Sequence, residues 1–204
     1  MPDPPLSATA PLEAVTLTPL QQDLINILRN IGGPLFAILD ASRDPLRILG
    51  LLRSFGEEYQ SLYEGIQGRM LETYAPHLVR LPGDSPLLET LIAQGWGNHW
   101  GIFVVSATDF IALRKHFRTF LMVKSQEGDR LYFRYYDPRV LRVYLPTCNA
   151  EESNYVFGPV AAYLCEGKAP DILLVFQPGQ DSVQCEAVKL SGTFEETIDT
   201  STGE

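Results

Sequence analysis

The side chains most able to do chemistry are three histidines, His77, His99 and His116, and three cysteines, Cys148, Cys165 and Cys185. A histidine becomes a general base or proton shuttle only beside a nucleophile or an orienting carboxylate. No G-x-S-x-G elbow or local Cys-His pairing supplies that partner. His99 is the best placed of the three, because it sits in Gly95-Trp96-Gly97-Asn98-His99-Trp100-Gly101 beside two tryptophans; the plainer expectation is that it hydrogen-bonds its own loop. Asp40 and Asp44 follow a short apolar run, where α/β enzymes place carboxylates. The stronger reading for both is structural, with Asp40 closing a strand and Asp44 capping a helix. A small hydrolase using Asp40 and His99 is the enzymatic alternative, and it requires one deep polar pocket holding both. The cysteines are odd in number and far apart, with no CxxC or Cys/His spacing, which argues against a disulfide framework and a zinc site and suits a reducing cytoplasm. Phosphate-binding, dinucleotide, metalloprotease and calcium-loop motifs are absent. The expectation is therefore no catalytic residue, no cofactor and no metal.

Recognition is the chemistry that the sequence favours. Leu131 to Pro146, LYFRYYDPRVLRVYLP, combines five aromatic residues with Arg134, Arg139 and Arg142. Tyr and Arg present planar area and several hydrogen bonds at modest entropic cost, and recur as interface anchors. The first half alternates, with Leu131, Phe133 and Tyr135 on one side and Tyr132, Arg134 and Tyr136 on the other, the period of a half-buried strand. Asp137-Pro138 then caps and opens a short helix that Pro146 ends. The structural counter-reading is a cross-strand aromatic ladder with ion pairs such as Arg139 to an acidic neighbour. The partner-binding candidates are Trp96, Trp100, Tyr132, Arg134, Tyr136, Arg139 and Arg142.

These residues need a scaffold, and the spacing predicts one. Thr18-Pro19-Leu20-Gln21 opens a helix with a capping box, continued by Leu24, Ile27, Leu28 and Ile31 and ended by Gly32-Gly33. Pro34 to Leu39 reads as a strand and Asp44-Pro45 as a capped helix start, carrying Leu46, Leu49, Leu52 and Phe55 to Gly56. Tyr59 to Gly65 and Ala75 to Leu81 read as short extended segments. Ser85-Pro86 starts a helix that stops at Gly95, and Ile102 to Val105 is a strand. Phe110, Leu113 and Phe117 form the apolar stripe of a helix whose Arg114, Lys115 and Arg118 face away. Phe120 to Val123 and Arg130 to Tyr136 make a hairpin around Glu127-Gly128-Asp129. A helix over Asn149 to Phe157 and strands over Ala161 to Cys165, Ile172 to Phe176 and Val183 to Leu190 complete the chain. The expected class is α/β, with α+β the alternative: a mixed central sheet flanked by helices, with a small acidic strand-rich C-terminal appendage. The expected division is a tail at 1–17, an α/β domain at 18–160, a strand module at 161–190 and an acidic tail at 191–204.

Charge refines this picture. The chain of 204 residues carries a formal charge of -9, which argues against nucleic acid or an anionic membrane as partner. Residues 1–150 hold 14 basic against 15 acidic residues, whereas 151–204 hold 2 against 10. Eight of the sixteen basic residues fall between Arg114 and Arg142, making a basic stripe to set against an acidic C-terminal quarter. No basic segment followed by an apolar run opens the chain, and no apolar stretch reaches transmembrane length, so the expectation is a soluble protein without a classical export signal.

Several ordered blocks resemble one family. Leu35 to Pro45 (LFAILDASRDP), Ser61 to Gly65 (SLYEG), Ala75 to Leu81, Gly95 to Phe103 (GWGNHWGIF) and Leu113 to Thr147, with Phe157-Gly158-Pro159 at the end, are similar to the bacterial type VI secretion adaptor or effector-chaperone family (Tap, Tec or VasW-like). The resemblance covers Leu35 to Val160. It implies a non-enzymatic protein that binds a cognate toxic effector in the cytoplasm, often at the effector's N-terminal region, and helps load it onto the VgrG spike. It also implies a departure: longer relatives carry a variable C-terminal lobe, whereas here little beyond the acidic strands follows Val160. An immunity protein, which would bind the effector's toxic domain, is the binding-class alternative.

Overall fold

The structure, a computed structural model, describes residues 15–124, 128 and 130–191. Helix α1 (Pro19–Arg29) begins as its sequence demands: the Thr18 hydroxyl accepts from the Gln21 amide while the Gln21 side chain accepts from the Thr18 amide. Strand β1 (Leu35–Asp40) and helix α2 (Pro45–Phe55) follow, the latter capped by Asp44 and closed by Gly56 in the left-handed region. Next come β2 (Tyr59–Ser61), α3 (Gly65–Met70), a 3-10 turn at Glu72–Tyr74 and β3 (Pro76–Leu81). Then α4 (Pro86–Gly95), β4 (Gly101–Val105) and α5 (Phe110–Arg118) lead into the hairpin β5 (Met122–Lys124) and β6 (Arg130–Tyr132). Helices α6 (Pro138–Tyr144) and α7 (Ala150–Phe157) precede β7 (Ala162–Glu166), β8 (Ile172–Pro178) and β9 (Val183–Lys189).

Seven strands form one sheet in the order β2-β3-β1-β4-β7-β8-β9, every neighbour antiparallel. The fold is thus α/β in composition, with the antiparallel arrangement of the α+β alternative. The strands expected as a C-terminal appendage continue this sheet, β7 pairing with β4. Side chains alternate across β1, so its unbroken apolar run serves two cores at once. Leu35, Ala37 and Leu39 pack under α1, α2 and α4, while Phe36 and Ile38 pack under α5, α6 and α7. The second core is aromatic: Tyr135 stacks on Phe117 at 6.1 Å, lies 4.5 Å from Phe120, and donates its hydroxyl to Phe117 O at 2.9 Å.

Two sequence expectations change here. The strand ends at Tyr132, not Tyr136, because the chain turns at Arg134, whose carbonyl accepts from the Asp137 amide at 3.0 Å. Tyr135 and Tyr136 therefore both enter the core instead of alternating across a strand. Nor do all three cations of α5 face away. Arg114 Nε donates to Ser61 O at 2.8 Å, Arg118 Nε donates to Leu62 O at 3.2 Å, and both meet Glu64. Lys115 alone of the three is exposed. The hairpin residues Glu127 and Asp129, like most of the two expected tails, lie outside the described residues.

Two histidines are expected to make the stability of the fold depend on pH. His77 is buried with Nδ1 2.9 Å from Ala75 O, and His116 has Nε2 2.9 Å from Val156 O. Burial holds both below the ordinary value of 6.5, more than offsetting those carbonyls. Their folded form is neutral while the unfolded chain still binds protons, so their contribution is complete above pH 6.5 and is lost as pH falls through it towards the depressed folded values. The urea midpoint is expected to drop between about pH 7.5 and 5.5. A His77→Gln, His116→Gln chain should show a visibly flatter profile, and an unchanged slope would refute this account.

Candidate partner-binding site

Antiparallel pairing brings the end of β1, the start of β4 and the end of β7 to one end of the sheet, since Leu39 faces Gly101 and Phe103 faces Leu164. The corner between β6 and α6 packs over the same end. Asp40, only 1% exposed, accepts from the Ser42 amide at 3.1 Å and the Ser42 hydroxyl at 2.7 Å, and takes the Arg134 guanidinium as its counter-ion. Arg134 also reaches Ser42 Oγ at 2.9 Å. Burial works against its charged form, but the bond and charge of Asp40 raise its pKa. Tyr136 lies in hydrogen-bonding reach of Tyr63, and burial, reinforced by Tyr63 and Asp40, pushes its phenol far up.

Beside this pair, Asp137 caps α6 and holds Arg139 with two contacts, Nε to Oδ1 at 3.0 Å and Nη2 to Oδ2 at 2.6 Å. Burial would raise the Asp137 pKa; the bonds and charge of Arg139 dominate and lower it. Across β7, Glu166 pairs with His99 and accepts from the Gly97 amide. His99 is the one described non-glycine residue at positive φ, 57°. Trp96 Nε1 donates to Pro170 O at 2.8 Å and Arg142 Nη1 to Gly167 O at 2.9 Å. The Trp100 ring is buried against Gly95, where a Cβ would lie 2.8 Å from it.

Six of the seven residues proposed from sequence thus lie at this sheet end, and internal bonds engage most of their polar groups. Trp100 and Tyr136 are interior; Trp96, Arg134, Arg139 and Arg142 remain partly exposed. Asp40 and His99 take different partners, and the small cavity near them, about 20 Å³, is lined by Trp96, Trp100 and Glu166 but by neither Asp40 nor His99. Among the described residues no cluster of three His, Cys, Asp or Glu is placed to hold a metal.

Tyr132 points elsewhere, to a surface that sequence reasoning missed. It is 50% exposed, its ring 5.1 Å from that of Tyr63. It lines a groove of about 250 Å³ with Leu62, Arg118, Leu121 and Met122. A second concavity of about 410 Å³ lies on the far side of Tyr63, Glu64 and Gly68, against β2 and Arg114. Helix α3 and its 3-10 turn expose Ile66, Met70, Leu71 and Tyr74, and the hairpin exposes Met122, Val123, Leu131 and Tyr132; these are eight of the twelve exposed large apolar residues among those described. Of these eight, Met122 and Tyr132 line the first groove. The sequence signal was Ile66 and Met70 four positions apart in a stretch interrupted by Gly65 and Gly68, too short to read as a helix.

No helix among the described residues is long and apolar enough to cross a membrane. No curated protein and no solved structure matches the chain. Residues 35–155 match the family described as Domain of unknown function (DUF4123). That span begins at β1 and includes the Asp40–Arg134 and Asp137–Arg139 pairs and the groove at Tyr132, while Glu166, the partner of His99, lies beyond it. It is more than half of the sequence, and the chain belongs to this family.

Proposed function

We propose that this protein is a cytoplasmic type VI secretion adaptor that acts by binding, without catalysis: it holds a cognate toxic effector and promotes its loading onto the VgrG spike. The observation that carries the reading is the pair of concavities on either side of Tyr63, Glu64 and Gly68, one of them lined by the exposed Met122 and Tyr132, with the other exposed apolar residues of α3 and the hairpin on the elements that flank them. Family membership and the sequence resemblance support it. An effector segment that covered Met70, Ile66 and Tyr132 would leave water together with them, and affinity would come from these few anchors. Arg69, Arg114 and Arg118 around the groove supply polar contacts that orient such a segment. The sheet-end residues act in this reading as supports that hold the hairpin corner against the sheet.

The test is co-purification with the effector and spike encoded beside the gene, using effector truncations and a Met70→Asp, Tyr132→Asp chain. The expected result is retention of a non-toxic effector segment, weakened roughly a hundredfold by the two substitutions, since each removes an apolar anchor and buries a charge. Binding confined to the toxic domain would replace the adaptor reading with an inhibitory one. Absence of any association would overturn it.

A further inference from the structure

The two edges of the sheet are treated differently. At one edge β2 is three residues long, and its outward carbonyl at Ser61 is occupied by Arg114. Short strands and capped edge groups are how proteins prevent edge-to-edge pairing. The opposite edge, β9, runs seven residues in unbroken register with β8, with no proline and no bulge, and is exposed from Gln184 to Ala187.

The hydrogen-bond phase of this edge follows from its ends. The Leu190 amide donates to Asp171 O at 2.8 Å and the Gly179 amide to Ser182 O at 3.0 Å. Even-numbered residues of β9 therefore bond to β8, and Val183, Cys185, Ala187 and Lys189 turn their amides and carbonyls outward. An antiparallel pairing of two copies about a twofold axis keeps faces matched only when the axis passes at a residue. Centred on Glu186, the overlap is longest but sets that carboxylate against its own copy, which is destabilising. Centred on Ala187, Glu186 faces only Val188. Centred on Cys185, Glu186 faces Gln184, Val183 faces Ala187, and Lys189 comes beside Asp181 of the second copy. Lys189 meets Asp171 of its own chain at 3.6 Å yet stays 76% exposed, free to reach that second carboxylate.

We propose that β9 is a homotypic docking edge at which two copies of this chain join their sheets antiparallel in the register centred on Cys185. The occupant is a second copy because β9 against itself, in the register centred on Cys185, pairs the outward groups of Val183, Cys185 and Ala187, keeps Glu186 from its own copy, and sets Lys189 beside Asp181 at both ends. This inference is independent of the adaptor reading.

Sedimentation equilibrium of the full chain tests it. A dimer is expected, with its dissociation constant raised roughly tenfold or more by Ala187→Pro. That proline removes an amide aimed at the free edge and leaves the β8 ladder intact, so circular dichroism should be unchanged. Lys189→Asp should weaken the dimer and Asp181→Lys in the same chain restore it. Mild oxidation should trap a disulfide-linked dimer through Cys185, whose Cα atoms would lie about 5.5 Å apart in this register, since Cys148 and Cys165 are buried. A monomer at all concentrations, a dimer indifferent to Ala187→Pro, or one without a Cys185 cross-link would each overturn the proposal. So would a monomer whose binding to a different protein is lost with Ala187→Pro.

Discussion

Replacing Gly101 by alanine is expected to lower the melting temperature by roughly 6 to 12 °C, the equivalent of about 3 kcal/mol in a chain of this size. Gly101 opens β4 opposite Leu39, directly after Trp100, whose carbonyl accepts from the Asp40 amide at 2.7 Å. A Cβ there would lie 3.0 Å from the carbonyl carbon of Ile38 and from the Cα of Leu39, and nearer still to the Ile38 carbonyl oxygen. These are backbone atoms of a strand paired on both sides, so no side chain can rotate to make room. The β1–β4 ladder would have to part at the centre of the sheet and disturb both cores. Thermal melts of the two chains decide it: a shift under about 2 °C would mean that the sheet yields far more easily than a doubly covered strand should.

The second large effect is an asymmetry between the partners of one ion pair. Arg134→Ala should cost about 3 kcal/mol, because it strands the Asp40 carboxylate, 1% exposed, with only the Ser42 donors. Asp40→Asn should cost about 1 kcal/mol, since Arg134 is 41% exposed and water can replace the lost acceptor. The double variant should resemble Asp40→Asn alone, as no buried charge is left unpaired. Urea melts of the four chains give the cycle, and equal costs for the two single variants would contradict it. The cycle also governs how binding data are read. Loss of effector binding in Arg134→Ala alone would report the corner between β6 and α6, whereas loss in the Met70→Asp, Tyr132→Asp chain would report the groove.

The local elements were legible because their causes are local. Thr18, Asp44, Asp109, Asp137 and Asn149 each accept from an amide two or three residues ahead, so the chain itself announces those helix starts. The apolar run of β1 signalled burial on both faces, and the aromatic stretch from Leu131 onward signalled a corner at Asp137-Pro138. What the chain alone did not determine was which distant groups meet. Arg134 finds Asp40 across 94 positions and His99 finds Glu166 across 67; composition marks such residues as chemically capable, but only the strand order sets them side by side. For that reason Tyr136 and Trp100, chosen as partner contacts, lie in the core, while Trp96, Arg134, Arg139 and Arg142 stay partly exposed and carry internal hydrogen bonds. The groove at α3 was hidden for the converse reason. Helix α3 has six residues, two of them glycines, too few to show a clear period, and Ile66, Arg69 and Met70 stand exposed because the neighbouring elements leave them uncovered. Exposure is a property of the assembled surface, and there the tertiary structure decided what the sequence by itself could not.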